Sequence, residues 1–251
     1  MRNLLTIVVY LVAGYGLLCL VLYLLQRQLI YFPVPAELPA ADPLVLKQPN
    51  ATVLISQRPL NSKQALLYFG GNAEDVSVSL PEFAAAFAEH AIYLMHYRGY
   101  GGSSGSPSEQ ALVADALALF DTLQHQHRQF TVIGRSLGTG VAVQLAARRP
   151  VSQLVLITPF DSLTAVARQQ MPYIPVSWLL QDRFESHYFA ADISCPVLLL
   201  VAEQDDIIKA ERSEALYRAF KADITTLIRY PGNHNSALPA KQIAAWLDAD
   251  N

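Results

Sequence analysis

The chain has few charged residues and no run of like charge. Of its 251 residues, 16% are Asp, Glu, Lys or Arg, and the formal net charge is −3. A nucleic-acid-binding domain is expected to carry a basic patch and a positive excess, so this balance argues against nucleic acid as a partner. No internal repeat and no low-complexity tract is visible, and the length suits one α/β domain with an extra segment.

Cysteine is almost absent. Cys19 lies within an apolar segment and Cys195 in the body of the chain, so we predict no disulfide between them. A lone buried thiol is compatible with either redox compartment. No cluster of Cys and His suggests a metal site, and we expect no metal and no cofactor.

What the chain has in excess is apolar residues, 52% in all, and the excess is concentrated at the start. No charged residue occurs from Leu4 to Leu25, and about twenty apolar residues cross a bilayer as a helix. We therefore predict a single-pass membrane anchor over 1–28. A cleaved signal peptide is the alternative, although the stretch exceeds a usual signal core and lacks a clean cleavage site. Arg2 and Arg27 flank the segment, so the positive-inside rule favours neither orientation.

The rest of the chain alternates apolar runs with helical patterns. A connector with the first strands is predicted over 29–63, its proline-rich part being Pro33 to Pro49, and a catalytic domain over 64–251. Predicted strands are Gln64–Tyr68, Ala91–His96, Phe130–Ile133, Gln153–Ile157, Pro196–Val201 and Ile224–Arg229; predicted helices include Phe83–Glu89, Ser108–Gln126 and Ala240–Asp248. Near-continuous apolar strands that alternate with helices predict a mostly parallel sheet covered on both faces.

The segment 159–194 breaks this alternation. It contains the apolar, aromatic and proline-broken sequence MPYIPVSWLL at 171–180. One interpretation is a small cap that offers an apolar wall to an acyl chain. The other is an ordinary crossover helix packed on the sheet, because an apolar helix is often part of a core.

Two stretches match the pattern G-x-S-x-G. The first, GRSLG at 134–138, follows the predicted strand Phe130–Ile133 and opens a helical pattern, which is the context of a nucleophile elbow. The second, GGSSG at 101–105, has no apolar strand running directly into it and is followed by Pro107, which indicates a loop. We therefore predict Ser136 as the nucleophile and Ser103 as a coincidental match.

A serine nucleophile needs a base, and the base needs an acid that orients it. His234 lies in the loop between the last strand and the last helix, and it is the preferred base among the six histidines. The acid is expected before it, after a strand, and Asp205 is favoured there. Asp206 is the adjacent alternative and Glu203 a third choice. The resulting chain order, Ser, acid, His, is the one that a nucleophile elbow requires.

Backbone amides are expected to hold the oxyanion. One is that of Leu137, directly after the nucleophile. The second is expected from the loop after Tyr68, where Asn72 is preferred and Gly71 comes next. All candidate residues follow predicted strands, and ligands of parallel sheets bind beyond the carboxyl ends of the strands.

In combination these motifs resemble the α/β-hydrolase superfamily, and in particular its membrane-anchored serine hydrolases, which include protein depalmitoylases and monoacylglycerol-type lipases. The motifs that carry the resemblance are GGNA at 70–73, HYRGYG at 96–101, GRSLG at 134–138 and NH at 233–234. The sequence QRQLIYFP at 26–33 is similar to the segment that often follows the anchor in that branch. The chain departs from the branch at four positions, with Gly70 in place of histidine, His96 in place of aspartate, Ala202 in place of glycine and Lys209 in place of proline.

The leading hypothesis is a membrane-anchored serine hydrolase that cleaves a carboxylic ester or thioester through Ser136, Asp205 and His234. Its partners would be an acyl-lipid or acyl-protein substrate and the lipid bilayer, and we expect a monomer. A serine peptidase on the same fold is one alternative. A catalytically inactive, membrane-tethered binding protein is the other, although an inert protein is expected to have lost at least one of the three residues.

Overall fold

The computed structural model describes residues 1–38 and 42–249. Within them, eight strands form one sheet in the order β1-β2-β4-β3-β5-β6-β7-β8. The strands are β1 Leu44–Gln48, β2 Ala51–Arg58, β3 Gln64–Phe69, β4 Ala91–Met95, β5 Gln129–Arg135, β6 Gln153–Ile157, β7 Val197–Ala202 and β8 Thr225–Tyr230. The helices are α1 Arg2–Ile30, α2 Leu80–Ala86, α3 Glu109–Leu123, α4 Leu137–Ala146, α5 Leu163–Gln170, α6 Val176–Leu179, α7 Ser186–Ala190, α8 Ala210–Ala219 and α9 Ala240–Ala249.

The sheet is parallel from β4 through β8, and β1 and β2 join its edge in antiparallel pairing. All residues of β4 and β7 are buried, as expected for strands covered on both faces. Two clusters of buried apolar side chains, one on each side, fill the space between sheet and helices. The predicted fold class, a mostly parallel sheet flanked by helices, is confirmed.

Parallel pairing brings the ends of β3, β5, β7 and β8 to one edge of the sheet. The loops that begin at residues 70, 136, 203 and 231 therefore lie beside one another. This edge is where the sequence placed every candidate residue, because the connections between parallel strands return to the same end.

Several element boundaries differ from those predicted. The apolar helix α1 continues to Ile30, beyond the predicted end at 28. Strands β1 and β2 lie in the segment 29–63, where a connector with the first strands is predicted. Residues 39–41 of that segment lie outside the described part of the chain. Helix α3 begins at Glu109 because Ser108 is its N-cap, with the serine hydroxyl accepting from the Ala111 amide.

The segment 159–194 contains three short helices that differ in what they contact. Helix α7 packs against α4 and α8, as a crossover helix does. Helices α5 and α6 contact each other, and α6 also contacts α1. These two helices, with the loop between them, line one cavity together with Ser136 and His234 at the carboxyl edge of the sheet, and we call residues 163–180 the cap.

Candidate active site

The turn between β5 and α4 holds Ser136 in a conformation that few residues adopt. Its φ is 48° and its ψ −117°, and such backbone strain costs on the order of 1–3 kcal/mol. The flanking glycines follow from close packing. A Cβ on Gly138 would lie 2.0 Å from the Phe69 carbonyl oxygen, and one on Gly134 would lie 2.5 Å from the Gly138 carbonyl oxygen. Only hydrogen fits at both positions, and this explains the G-x-S-x-G spacing.

Ser136, His234 and Asp205 form a continuous hydrogen-bonded chain. The Ser136 Oγ lies 2.8 Å from His234 Nε2, and His234 Nδ1 lies 2.8 Å from Asp205 Oδ2. A carboxylate can only accept, so Nδ1 carries the imidazole proton and Nε2 accepts from the serine hydroxyl. All three residues are buried, and the three groups have the relative positions of nucleophile, base and orienting acid.

The loop after β7 directs only one of its acidic side chains inward. Asp205 is buried, and its second oxygen, Oδ1, accepts from the amides of Ile207 at 2.9 Å and Ile208 at 2.7 Å. Both amides fix the carboxylate and leave Oδ2 for the imidazole. Asp206 and Glu203 are exposed. The geometry therefore favours Asp205, which the sequence had preferred over its neighbours.

Leu137 and Asn72, the two preferred oxyanion donors, line the same cavity as Ser136. Leu137 is the first residue of α4, where an N–H has no partner within the helix. The Asn72 amide has no acceptor among residues 1–38 and 42–249. Gly71, the second choice from sequence, donates its amide to Glu74 Oε2 at 2.8 Å, so this geometry favours Asn72 over Gly71.

The sequence reasoning missed two charged residues that join the loops of the site. Arg135 donates to the carbonyl oxygens of His234 and Ser236, each at 3.2 Å, and lies 3.7 Å from the Glu74 carboxylate. Glu74 in turn holds Gly71. Arg135 thus joins the loop that carries His234 to the loop of Gly71 and Asn72, by hydrogen bonds on one side and an ion pair on the other. The sequence held one signal for these contacts, namely that the first variable position of G-x-S-x-G is an arginine.

Ser103 has no such surroundings. Its Oγ accepts from the Leu54 amide at 2.8 Å and donates to the His96 carbonyl at 3.0 Å. The His96 ring lies 2.8 Å from Ser56 Oγ. Burial lowers the pKa of His96 from its ordinary value, and Asp75 opposes this shift. The second G-x-S-x-G match is therefore a turn that fastens the end of β4 to β2.

An apolar cavity of about 410 Å³ opens next to the Ser136 hydroxyl. Ser136 and His234 lie in its wall, and most of the other lining residues are apolar side chains from the cap and from α1. This volume is in the range of small-molecule sites, which are mostly apolar with a few polar groups that fix orientation. Among the described residues, no group of three or more His, Cys, Asp or Glu is arranged to hold a metal ion.

Comparison with known proteins places this geometry in a family. A family model for the α/β hydrolase fold matches residues 64–180. An uncharacterized protein of Mycobacterium tuberculosis is 37% identical over 229 residues, which cover 84% of this chain and 80% of that protein. The chain belongs to the α/β-hydrolase superfamily, as its motifs predicted, and its class is that of the hydrolases.

Among relatives with an assigned activity is the lysophosphatidylserine lipase ABHD12 of Danio rerio. It is 33% identical over 181 residues, which cover 62% of this chain and 47% of that protein, so the chain spans about half of its length. Solved structures agree in fold. Mouse alpha/beta hydrolase domain-containing protein 10 superposes with a TM-score of 0.66 at 18% identity, covering 83% of this chain and 98% of that one. A monoacylglycerol lipase of Paleococcus ferrophilus gives 0.62 at 19% identity, covering 79% and 99%.

Proposed function

We propose that this protein is a membrane-anchored serine hydrolase that cleaves carboxylic esters or thioesters of acyl groups. The observation that carries the proposal is the hydrogen-bonded chain from Ser136 through His234 to Asp205, located at the wall of an apolar cavity. Neither part is sufficient alone, because a buried serine–histidine pair is also found in structural roles and an apolar cavity has no reactivity of its own.

In the first half of the reaction, Ser136 Oγ attacks the acyl carbonyl carbon and its proton moves to His234 Nε2. Asp205 stabilises the imidazolium that results. The amides of Leu137 and Asn72 donate to the oxyanion of the tetrahedral intermediate. When the intermediate collapses, the bond to the alcohol or thiol breaks, the imidazolium gives its proton to the leaving group, and an acyl-serine remains.

In the second half, water takes the place of the leaving group. His234 accepts one proton from the water molecule as the water oxygen attacks the acyl-serine carbonyl. The amides of Leu137 and Asn72 hold the second oxyanion. Collapse breaks the bond to Ser136 Oγ, which recovers its proton from the imidazolium. The product is a free carboxylic acid, and the serine is ready for another cycle.

Helix α1 supports the membrane part of the proposal. It is 29 residues long, with a mean hydropathy of 2.5 in its most apolar window, and none of that window is buried by the rest of the protein. A retained anchor predicts that the full-length chain stays in the membrane pellet after alkaline carbonate extraction. A shortened, soluble product would contradict the anchor and favour a cleaved signal.

A fluorophosphonate probe tests the chemistry, since it reacts with activated serine hydroxyls. We expect the probe to label the wild type and the Ser103→Ala control but not Ser136→Ala. Labelling of Ser136→Ala equal to that of the wild type, or none of any folded variant, would refute the proposal. An inactive binding protein predicts the latter result.

The apolar wall of the cavity favours an acyl group over the polar backbone of a peptide. Hydrolysis of a panel of acyl esters, compared with that of peptide substrates, separates an esterase from a peptidase.

A further inference from the structure

The last two and a half turns of α1, at 3.6 residues per turn, belong to the wall of the cavity. Leu22, Gln26, Leu29 and Ile30 line it from the helix, and Ser136 lies in the same cavity. We propose that α1 is part of the substrate site as well as an anchor, and that its final turns form the wall against which a long acyl chain binds. The proposal rests on the proposed function and narrows its substrates to molecules with a long acyl chain.

Polar contacts hold the end of the cap, and the residues directly after it, against this part of α1. Gln26 uses both ends of its amide, because Nε2 donates to the Leu179 carbonyl at 3.1 Å and Oε1 accepts from the Gln181 amide at 2.7 Å. One turn further on, the buried Asp182 accepts from Arg27 Nε and from the Tyr31 hydroxyl, each at 3.1 Å. The two sides of the cavity are therefore fixed relative to each other.

The end of α1 is also joined to the oxyanion loop. Asn72 Nδ2 donates to the Ile30 carbonyl at 3.0 Å, and the Asn72 carbonyl accepts from the Phe32 amide at 3.1 Å. The residue whose amide is proposed to hold the oxyanion is thus positioned by the helix that forms the wall. An acyl chain along α1 and a carbonyl at Ser136 are parts of one continuous site.

The cap lies beside the apolar part of α1. The Tyr15 hydroxyl donates to the Tyr173 carbonyl at 2.7 Å, and Tyr15 lies about 10 Å along the helix from Leu22 at 1.5 Å per residue. Tyr173 and Trp178 of the cap are each 87% exposed. Amphipathic aromatics of this kind are enriched at membrane interfaces. With α1 in a bilayer, these cap residues face lipid, and the acyl chain enters from the leaflet between cap and helix.

A larger side chain on α1 that narrows the cavity tests the inference. Leu22→Trp places a larger side chain in the cavity, and Leu20→Trp is the matched control, because Leu20 lies on the same helix, is 51% exposed and does not line the cavity. The full-length variants are compared in the same detergent for hydrolysis of p-nitrophenyl butyrate and p-nitrophenyl palmitate. In membranes, 1-palmitoylglycerol and an S-palmitoyl peptide then distinguish a lipid from a protein as the source of the chain.

We expect Leu22→Trp to lower the palmitate-to-butyrate ratio of kcat/KM at least tenfold, and Leu20→Trp to leave the ratio within twofold of the wild type. Leu22→Ala, which widens the cavity, should not reproduce the loss. An unchanged ratio in Leu22→Trp, or an equal change in Leu20→Trp, would overturn the inference while butyrate hydrolysis by the wild type still upheld the proposed function. Absence of hydrolysis of every substrate by the wild type would overturn the proposed function itself.

Discussion

The two serines that share the pattern G-x-S-x-G differ in what their hydroxyls can do. Both are buried, Ser136 with 8% and Ser103 with 6% of its surface exposed. The hydroxyl of Ser136 has one side-chain partner, the imidazole of His234, and lies in the cavity wall. The hydroxyl of Ser103 is occupied on both sides, by the Leu54 amide and the His96 carbonyl.

The reactivity of the serine in this motif depends on the secondary-structure elements on either side of it. A strand and a helix meet at Ser136, and their packing leaves the hydroxyl beyond the edge of the sheet. At Ser103 a turn closes on the neighbouring strand, so the same residue type stabilises the backbone. A hydroxyl that already donates to a carbonyl has no proton to give to a base.

Removing each hydroxyl in turn tests the difference between the two serines, and this is the largest effect that we expect. Ser136→Ala should lower kcat for a p-nitrophenyl ester by about 10⁴-fold or more, because the nucleophile is lost. Ser103→Ala should keep kcat within about twofold of the wild type but lower the free energy of unfolding by about 1 kcal/mol, since it leaves the partly buried Leu54 amide without its acceptor. Steady-state kinetics and denaturant unfolding measure both effects. A large loss of kcat in folded Ser103→Ala would contradict the assignment of the two serines.

Adjacent acids allow a second contrast. Asp205→Asn should lower kcat by about 10³- to 10⁴-fold, because an amide in this position no longer fixes the imidazole in the tautomer that accepts the serine proton. Asp206→Asn changes an exposed side chain and should alter kcat less than twofold. Similar losses in the two variants, measured with the same ester, would show that the acid has been assigned to the wrong carboxylate.

Arg135 is expected to have a smaller effect on catalysis than either Ser136 or Asp205. Arg135→Gln removes the ion pair with Glu74 and weakens the contacts to the loop that carries His234. We expect kcat to fall by about tenfold with little change in KM, since the base loses alignment in the transition state while the acyl cavity is intact. The kinetic constants from one substrate series suffice for this test. A rise in KM at constant kcat would place Arg135 in substrate binding instead.

The smallest effect concerns the imidazole next to Ser103. Because burial lowers the pKa of His96 in the folded protein, the unfolded chain binds this proton more readily. The contribution of His96 to the free energy of unfolding is therefore fully present above pH about 6.5, and it is lost as the pH falls through the pKa that His96 has in the folded protein. His96→Gln should therefore lose less stability than the wild type between pH 7 and pH 5. Unfolding midpoints at both pH values give the difference, and equal losses would contradict a titrating His96.

Local patterns were enough to predict the sheet and the elbow, because the strand before Ser136, its two glycines and the helix after it all lie within the 18 residues from Gln129 to Ala146. The choice between Asp205 and Asp206 needed the fold, since only the loop conformation decides which carboxylate turns inward. The contacts of Arg135 with Glu74 and with the His234 loop join residues that are far apart in sequence. The sequence did not predict the contribution of α1 to the cavity for a different reason. An apolar segment of this length indicates a membrane anchor, and its contacts with the rest of the protein leave no signal in the sequence.

The absence of a free linker after α1 has a consequence for how such an enzyme would meet its substrate. Tyr31 follows the helix directly and is only 2% exposed, because its ring already belongs to the core of the catalytic domain. A hydrolase on a flexible tether rotates and samples a range of heights above a membrane. Under the proposed function, with α1 in a bilayer, the domain that contains Ser136 would instead keep one orientation and one height, so that lateral diffusion of lipids, and not motion of the enzyme, would bring each carbonyl to Ser136.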